Sequence, residues 1–95
     1  MAAYIIVEVE TTDEALMAEY RKHTPGLVAG FGGKFIVRGG RVESKEGGWN
    51  PKRMVALEFP SMEQALKWYD SPEYAPLIKL RQKASKGKLI IVEGA

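Results

Sequence analysis

The side chains best suited to chemistry in this chain of 95 residues are Arg38, Arg53 and Arg81, the glutamates Glu8 and Glu58, and His23. A guanidinium presents a planar fork of donors that matches a carboxylate, so each arginine can hold an acidic side chain or the carboxylate of a ligand. Arg81 shares a helical stripe with Tyr74, Leu77 and Ile78, which turns it towards the core or a cleft. An unpaired guanidinium is costly there, so Arg81 needs an anion, either a structural carboxylate such as Glu58 or one carried by a ligand. His23 is the one side chain whose ordinary pKa lies near neutrality. It is either a general base or iron ligand, or a structural or surface residue.

Glu8 and Glu58 are expected to end neighbouring central strands, read as parallel, on one face of a sheet. Within about 5 Å of each other, two carboxylates share a proton or recruit a cation. Arg38 is an alternative partner, and hydration or arginine pairing at the sheet rim is the plainer outcome. Trp68 and Tyr69 are either packing residues or a platform for a substrate. Trp49 stands in a glycine-rich loop, GGWNP, where a large aromatic anchors on a partner subunit or forms a lid over a pocket. Lys79, Lys83, Lys86 and Lys88 gather at the end of the last helix, where positive charge complements the helix dipole.

Composition narrows the classes. No cysteine is present, which removes disulfides and iron-sulfur clusters and agrees with a reducing, cytoplasmic setting. One histidine is too few for a structural zinc site, so no metal or tightly bound cofactor is expected. Apolar runs such as Tyr4 to Val7 are far too short to cross a bilayer, and no signal-peptide layout opens the chain. Fourteen basic against twelve acidic residues leave a formal charge of +2, a weak pointer to an anionic partner.

The elements that must position these residues follow from local pattern. Residues 3 to 9 (AYIIVEV) form a first strand, and Thr11 with Glu14 reads as a capping box that opens a helix. Pro25 and Gly26 should break or kink it before Gly32 and Gly33 end the segment. Residues 34 to 38 (KFIVR) make the second strand, and residues 41 to 45 continue it as a ribbon beyond Gly39-Gly40. Residues 53 to 59 (RMVALEF) are the third strand, followed by a helix capped by Ser61 and Gln64. A last helix starts at Ser71-Pro72 and stops at Gly87, and residues 88 to 93 form the fourth strand. The order is βαββαβ, a ferredoxin-like α+β arrangement in a single domain over residues 1 to 95, with a four-stranded antiparallel sheet whose first and third strands are central.

Alternation splits each strand into two sets. One set, Ile5, Val7, Val9, Phe35, Val37, Val55, Leu57, Phe59, Ile90 and Val92, is wholly apolar and suits the face covered by helices. The other holds Ile6, Ile36, Met54, Leu89 and Ile91 together with Tyr4, Glu8, Arg38, Glu58 and Glu93. A helix-free face that apolar marks an interface, and a second copy of the sheet is the simplest cover. A homodimer is therefore expected.

The segments GGKFIVRGG (32 to 40), RMVALEFPSMEQALKWYDSPEY (53 to 74) and IVEG (91 to 94) resemble the uncharacterised family DUF1330 over nearly the whole chain. The resemblance implies a dimeric α/β-barrel fold, in a superfamily that includes cofactor-independent monooxygenases, haem-degrading enzymes and small isomerases. It assigns no reaction. The positions that match the family's polar and aromatic motif are Arg38, Arg53, Glu58, Trp68, Tyr69, Ser71, Tyr74 and Arg81.

Two functions remain in view. One is a cofactor-independent enzyme acting on a small anionic organic substrate, with Glu58 or His23 moving a proton and Arg38, Arg53, Arg81, Tyr69 and Trp49 binding the substrate. The other is a non-catalytic homodimer that binds a metabolite or serves in stress. RNA binding is disfavoured, because the third strand lacks the base-stacking aromatics of RNA-recognition domains. No glycine-rich phosphate loop opens a helix.

Overall fold

In the computed structural model, which describes residues 1–95, the elements are β1 (Ala3–Thr11), α1 (Glu14–Gly30), β2 (Lys34–Arg38), β3 (Arg53–Phe59), α2 (Met62–Tyr69), α3 (Ala75–Ala84) and β4 (Ser85–Glu93). The strands form one antiparallel sheet in the order β2-β3-β1-β4, with three helices over one face. This is the ferredoxin-like α+β arrangement. The molecule is a slab of 36 × 33 × 17 Å, the thickness of one sheet plus one helical layer.

Local chemistry explains the element boundaries. Thr11 stays in β1, and Asp13 caps α1 instead, its carboxylate accepting the Leu16 amide at 3.1 Å. Pro25 lies inside α1 without ending it. The amide it lacks would have served the Arg21 carbonyl, while Thr24 Oγ1 donates to the Tyr20 carbonyl at 2.8 Å on the same stretch. Ser61 caps α2 through the Gln64 amide at 3.1 Å, as its spacing indicates. Ser71 organises the turn before α3, donating to the Trp68 carbonyl at 2.8 Å and accepting the Tyr74 amide at 3.1 Å. Residues 41 to 45 form no ribbon, and the connection between β2 and β3 is irregular and exposed.

Gly87 does not stop a helix. Helix α3 ends at Ala84 and Gly87 lies within β4, opposite Val9 of β1. A Cβ on Gly87 would collide with the Glu8 backbone carbonyl, so the close approach of β4 to β1 requires glycine here.

The face assignment holds for β1 and β3 but fails on β4 and part of β2. Ile5, Val7, Val9, Leu57 and Phe59 are buried beneath the helices. In β4 the register pairs Ile5 with Ile91 and Val7 with Leu89, so Leu89 and Ile91 pack on the core while Ile90 and Val92 face away. Strand alternation fixes which residues share a face but not which face it is, and in β4 both sets are apolar. In β2 a bulge between Phe35 and Val37 shifts the pairing, so that Val37 lies opposite Ala56 and Arg38 opposite Val55. The extra residue moves Val37 to the helix-free face and swings Arg38 onto the helix side, where its guanidinium lies 3.7 Å from the centre of the Phe35 ring. The helix-free face is still apolar after these exchanges, with Ile6, Ile36, Val37, Met54, Ala56, Ile90 and Val92 upon it.

Aromatic packing fastens the helices to the sheet. Trp68 stacks on Tyr74 with ring centres 4.1 Å apart and meets Phe59 at 5.6 Å, and Tyr69 touches both Trp68 and Tyr74 edge-on. The Tyr74 hydroxyl reaches across to α1 and pairs with that of Tyr20 at 2.6 Å. Burial, reinforced by the neighbouring Tyr20, pushes the Tyr74 hydroxyl well above the usual phenol range, with Arg81 opposing only in part.

Two measurements test this packing. Gly87→Ala should lower stability by about 2 kcal/mol, since overpacking here meets backbone and not a movable side chain; urea denaturation reads the loss. Above about pH 10 the unfolded chain ionises at Tyr74 while the folded chain keeps the proton. Stability due to Tyr74 is therefore intact below that pH and falls above it by about 1.4 kcal/mol per pH unit. Tyr74→Phe should make the alkaline decline shallower by that slope in urea melts between about pH 10 and 11.5.

Candidate ligand-binding site

Between the sheet and the helices lies a partly open cavity of about 200 Å³. Its floor is hydrocarbon from the sheet, Val7, Val9, Val55, Leu57 and Leu89. Tyr20 and Thr24 of α1, Trp68 of α2, Tyr74, and Arg81 of α3 form the opposite wall. These residues come together because the buried stripe of α1, which runs through Met17, Thr24 and Val28, faces the end of the sheet that carries Arg38 and Arg53.

Four arginines line the cavity, Arg21, Arg38, Arg53 and Arg81, and no acidic residue does. They are graded by depth. Arg21 and Arg38 are exposed at the rim, Arg53 is half-buried and Arg81 is buried. Arg21 has a partner in Glu14 at 3.8 Å, whereas Arg38, Arg53 and Arg81 form no ion pair. Arg53 lies flat against Gly39, at φ +70°, where a Cβ would overlap the guanidinium; glycine at that turn leaves Arg53 its place at the cavity mouth.

The deep end is rich in donors that lack acceptors. Arg81 Nε and Trp68 Nε1 are both sealed from solvent without a hydrogen-bond partner. Beside them the Tyr20 and Tyr74 hydroxyls hold two protons and need only one for the bond between them, so one O–H is left to donate elsewhere. Such a wall is electrostatically suited to an oxygen anion or a polarised carbonyl, and its apolar surround strengthens the interaction.

The structure separates the sequence candidates into those at the cavity and those remote from it. Arg38, Arg53 and Arg81 line it together. Tyr69 supports it from behind, edge-on to Trp68 and Tyr74, and borders a separate shallow depression with Arg81 and Ser85. His23 lies on the exposed side of α1, 3.3 Å from Glu19, whose carboxyl the His23 and Lys22 contacts hold below the usual range. On a helix His23 falls one step off the buried stripe that Tyr20 and Thr24 occupy. Glu58 is on the helix-free face, 3.5 Å from Lys34, and cannot serve as the anion for Arg81. Trp49 is exposed and donates to Glu8 Oε2 at 3.2 Å, so the long loop folds over the helix-free side and not over the cavity.

Glu8 and Glu58 are not neighbours. Strands β1 and β3 run antiparallel, with Glu8 opposite Met54 and Glu58 opposite Tyr4, which places the two carboxylates at opposite ends of the strands. The expectation that they approach one another required those strands to be parallel. Tyr20, Thr24 and Arg21 are cavity residues that sequence reasoning did not single out. The Tyr20–Tyr74 contact spans 54 positions, and no local spacing reports it.

Solved structures share this architecture. A protein of unknown function from Rhodopseudomonas palustris superposes with a TM-score of 0.75 at 17% identity, covering 99% of this chain and 82% of its own. SnoaB, a cofactor-independent oxygenase from Streptomyces nogalater, gives 0.66 at 8% identity, covering 99% and 93%. A dimeric protein of unknown function with a ferredoxin-like fold from Bacteroides fragilis gives 0.63 at 12% identity, covering 98% and 96%. At these identities the likeness is one of fold. No functionally curated protein matches the sequence. The family model described as domain of unknown function DUF1330 matches residues 2–95, so the chain belongs to that family.

Proposed function

We propose that this protein binds a small organic anion in the cavity between its helices and its sheet. The observation that carries the reading is the convergence of Arg38, Arg53 and Arg81 on one apolar cavity that no carboxylate lines. A desolvated guanidinium without a partner costs several kcal/mol, and a ligand carboxylate would satisfy it with a charge-assisted, bidentate contact. Hydrocarbon and aromatic surface around the charges selects an organic body over a bare inorganic ion.

Turnover without a cofactor is the second reading, favoured by the Tyr20–Tyr74 hydroxyl pair beside Arg81. With Tyr74 held protonated by burial, the pair can donate to a developing enolate or alkoxide while Arg81 supplies positive charge. The fold likeness to SnoaB is consistent with such chemistry and does not assign it.

The working form of this reading is a homodimer stacked through the helix-free faces, in the manner of a dimeric α/β barrel. Ile36, Val37, Ile90 and Val92 are each at least two-fifths exposed on or beside that face, a cost in water that a second sheet removes. The dimeric neighbour from Bacteroides fragilis has the same fold.

Replacing Arg81 by methionine separates a ligand-binding arginine from a structural one. Arg81→Met should leave the ligand-free protein as stable as before or raise its melting temperature, because it removes an unpaired buried charge at similar volume. The same variant should lose at least tenfold in affinity for benzoate by calorimetric titration; a destabilised protein that still binds benzoate would sink the reading. For the dimer, light scattering at micromolar concentration should give twice the chain mass. Ile90→Lys should reduce it to one, whereas Ile91→Lys, aimed at the core, should unfold the chain.

A further inference from the structure

The cavity is polarised along its length, and that geometry bears on which anions fit it. At the deep end stand Arg81 and the hydroxyl pair of Tyr20 and Tyr74, in a wall whose Arg81 Nε and Trp68 Nε1 also lack acceptors. At the mouth stand Arg53, half-buried, and Arg38, exposed, both without an ion-pair partner. Much of the remaining lining is hydrocarbon, from Val7, Val9, Val55, Leu57 and Leu89. A ligand with one anionic group leaves one of these two sets of arginines without an anionic partner.

We infer that the site is built for a two-headed ligand: a short, flat, apolar body carrying an oxygen acceptor group at each end, one held by Arg81 and the tyrosine hydroxyls and the other by Arg53 and Arg38. The inference rests on the anion-binding reading and narrows it to dianions and to carboxylates with a second, enolate-like oxygen.

Each end has its own physical justification. Arg81 is nine-tenths buried, so an anion that meets it gives up most of its water, which the surrounding donors replace. Arg38 is braced on the Phe35 ring and Arg53 on the turn at Gly39, so both guanidinium groups are held in place before a ligand arrives. The floor of valine and leucine offers no hydrogen bond to the middle of the ligand, which excludes a polyhydroxylated body such as a sugar acid. A volume of about 200 Å³ suits a body of one ring.

The test compares benzene-1,3-dicarboxylate and benzene-1,4-dicarboxylate with their own monomethyl esters and with benzoate, by calorimetric titration of the wild-type protein. At least one diacid should bind tenfold or more tightly than its ester. Arg53→Gln should bring that ratio close to one, and a general loss of folded protein would not change the ratio. If benzoate binds and neither diacid is preferred to its ester, the two-headed site is wrong and the anion-binding reading stands. If neither the monoacid nor the diacids bind, both are wrong.

Discussion

A positive charge that has left water without meeting a negative one is the constraint from which the rest of this structure is best understood. Arg81 sits in an aromatic and aliphatic wall, sealed at Nε, with no ion pair and no carboxylate among the residues that line the cavity. Folding the chain places it there regardless of ligand, because Tyr74, the nearby Ser71 turn and the stacked Trp68 determine where α3 starts and how it is rotated. Stability alone would favour an aliphatic side chain at this position. A residue that costs the empty protein something is most simply understood by what it does when the cavity is filled.

Much of the fold was legible in the sequence, since strand and helix periods, Ser61 and the apolar strand sets are local signals. What escaped was every feature decided by tertiary context. In β4 the run KLIIVE is apolar on both parities, so only pairing with Ile5 and Val7 shows that Leu89 and Ile91 turn inward. In β2 the bulge is invisible in FIVR, yet it moves Arg38 from the helix-free face to the cavity. The Glu8 and Glu58 expectation failed for a topological reason: the β1-α1-β2 crossover makes β1 and β2 parallel, and the reversal between β2 and β3 makes β3 antiparallel to β1.

The site was legible in part and for a definite reason. Arginine stands out in any sequence, and the helical stripe around Arg81 by itself indicates burial. Tyr20 and Tyr74 are ordinary aromatic residues until their hydroxyls meet across 54 positions. His23 stands out by chemistry alone, yet it lies one residue from the buried Thr24, and the rotation of about 100° per residue in a helix turns it to the exposed side of α1 beside Glu19. Glu58, conspicuous in a strand otherwise apolar, is explained by its pairing with Lys34 across β2 and β3.

The bulge in β2 also affects how copies of this chain can assemble. A flat edge strand offers a regular row of amides and carbonyls on which another β-segment can polymerise. Here that row is only five residues long and is interrupted at its middle, while the opposite edge carries Lys86 and Lys88. Lateral growth into fibres is thereby discouraged on both flanks, leaving association through the broad face as the direction open to the molecule.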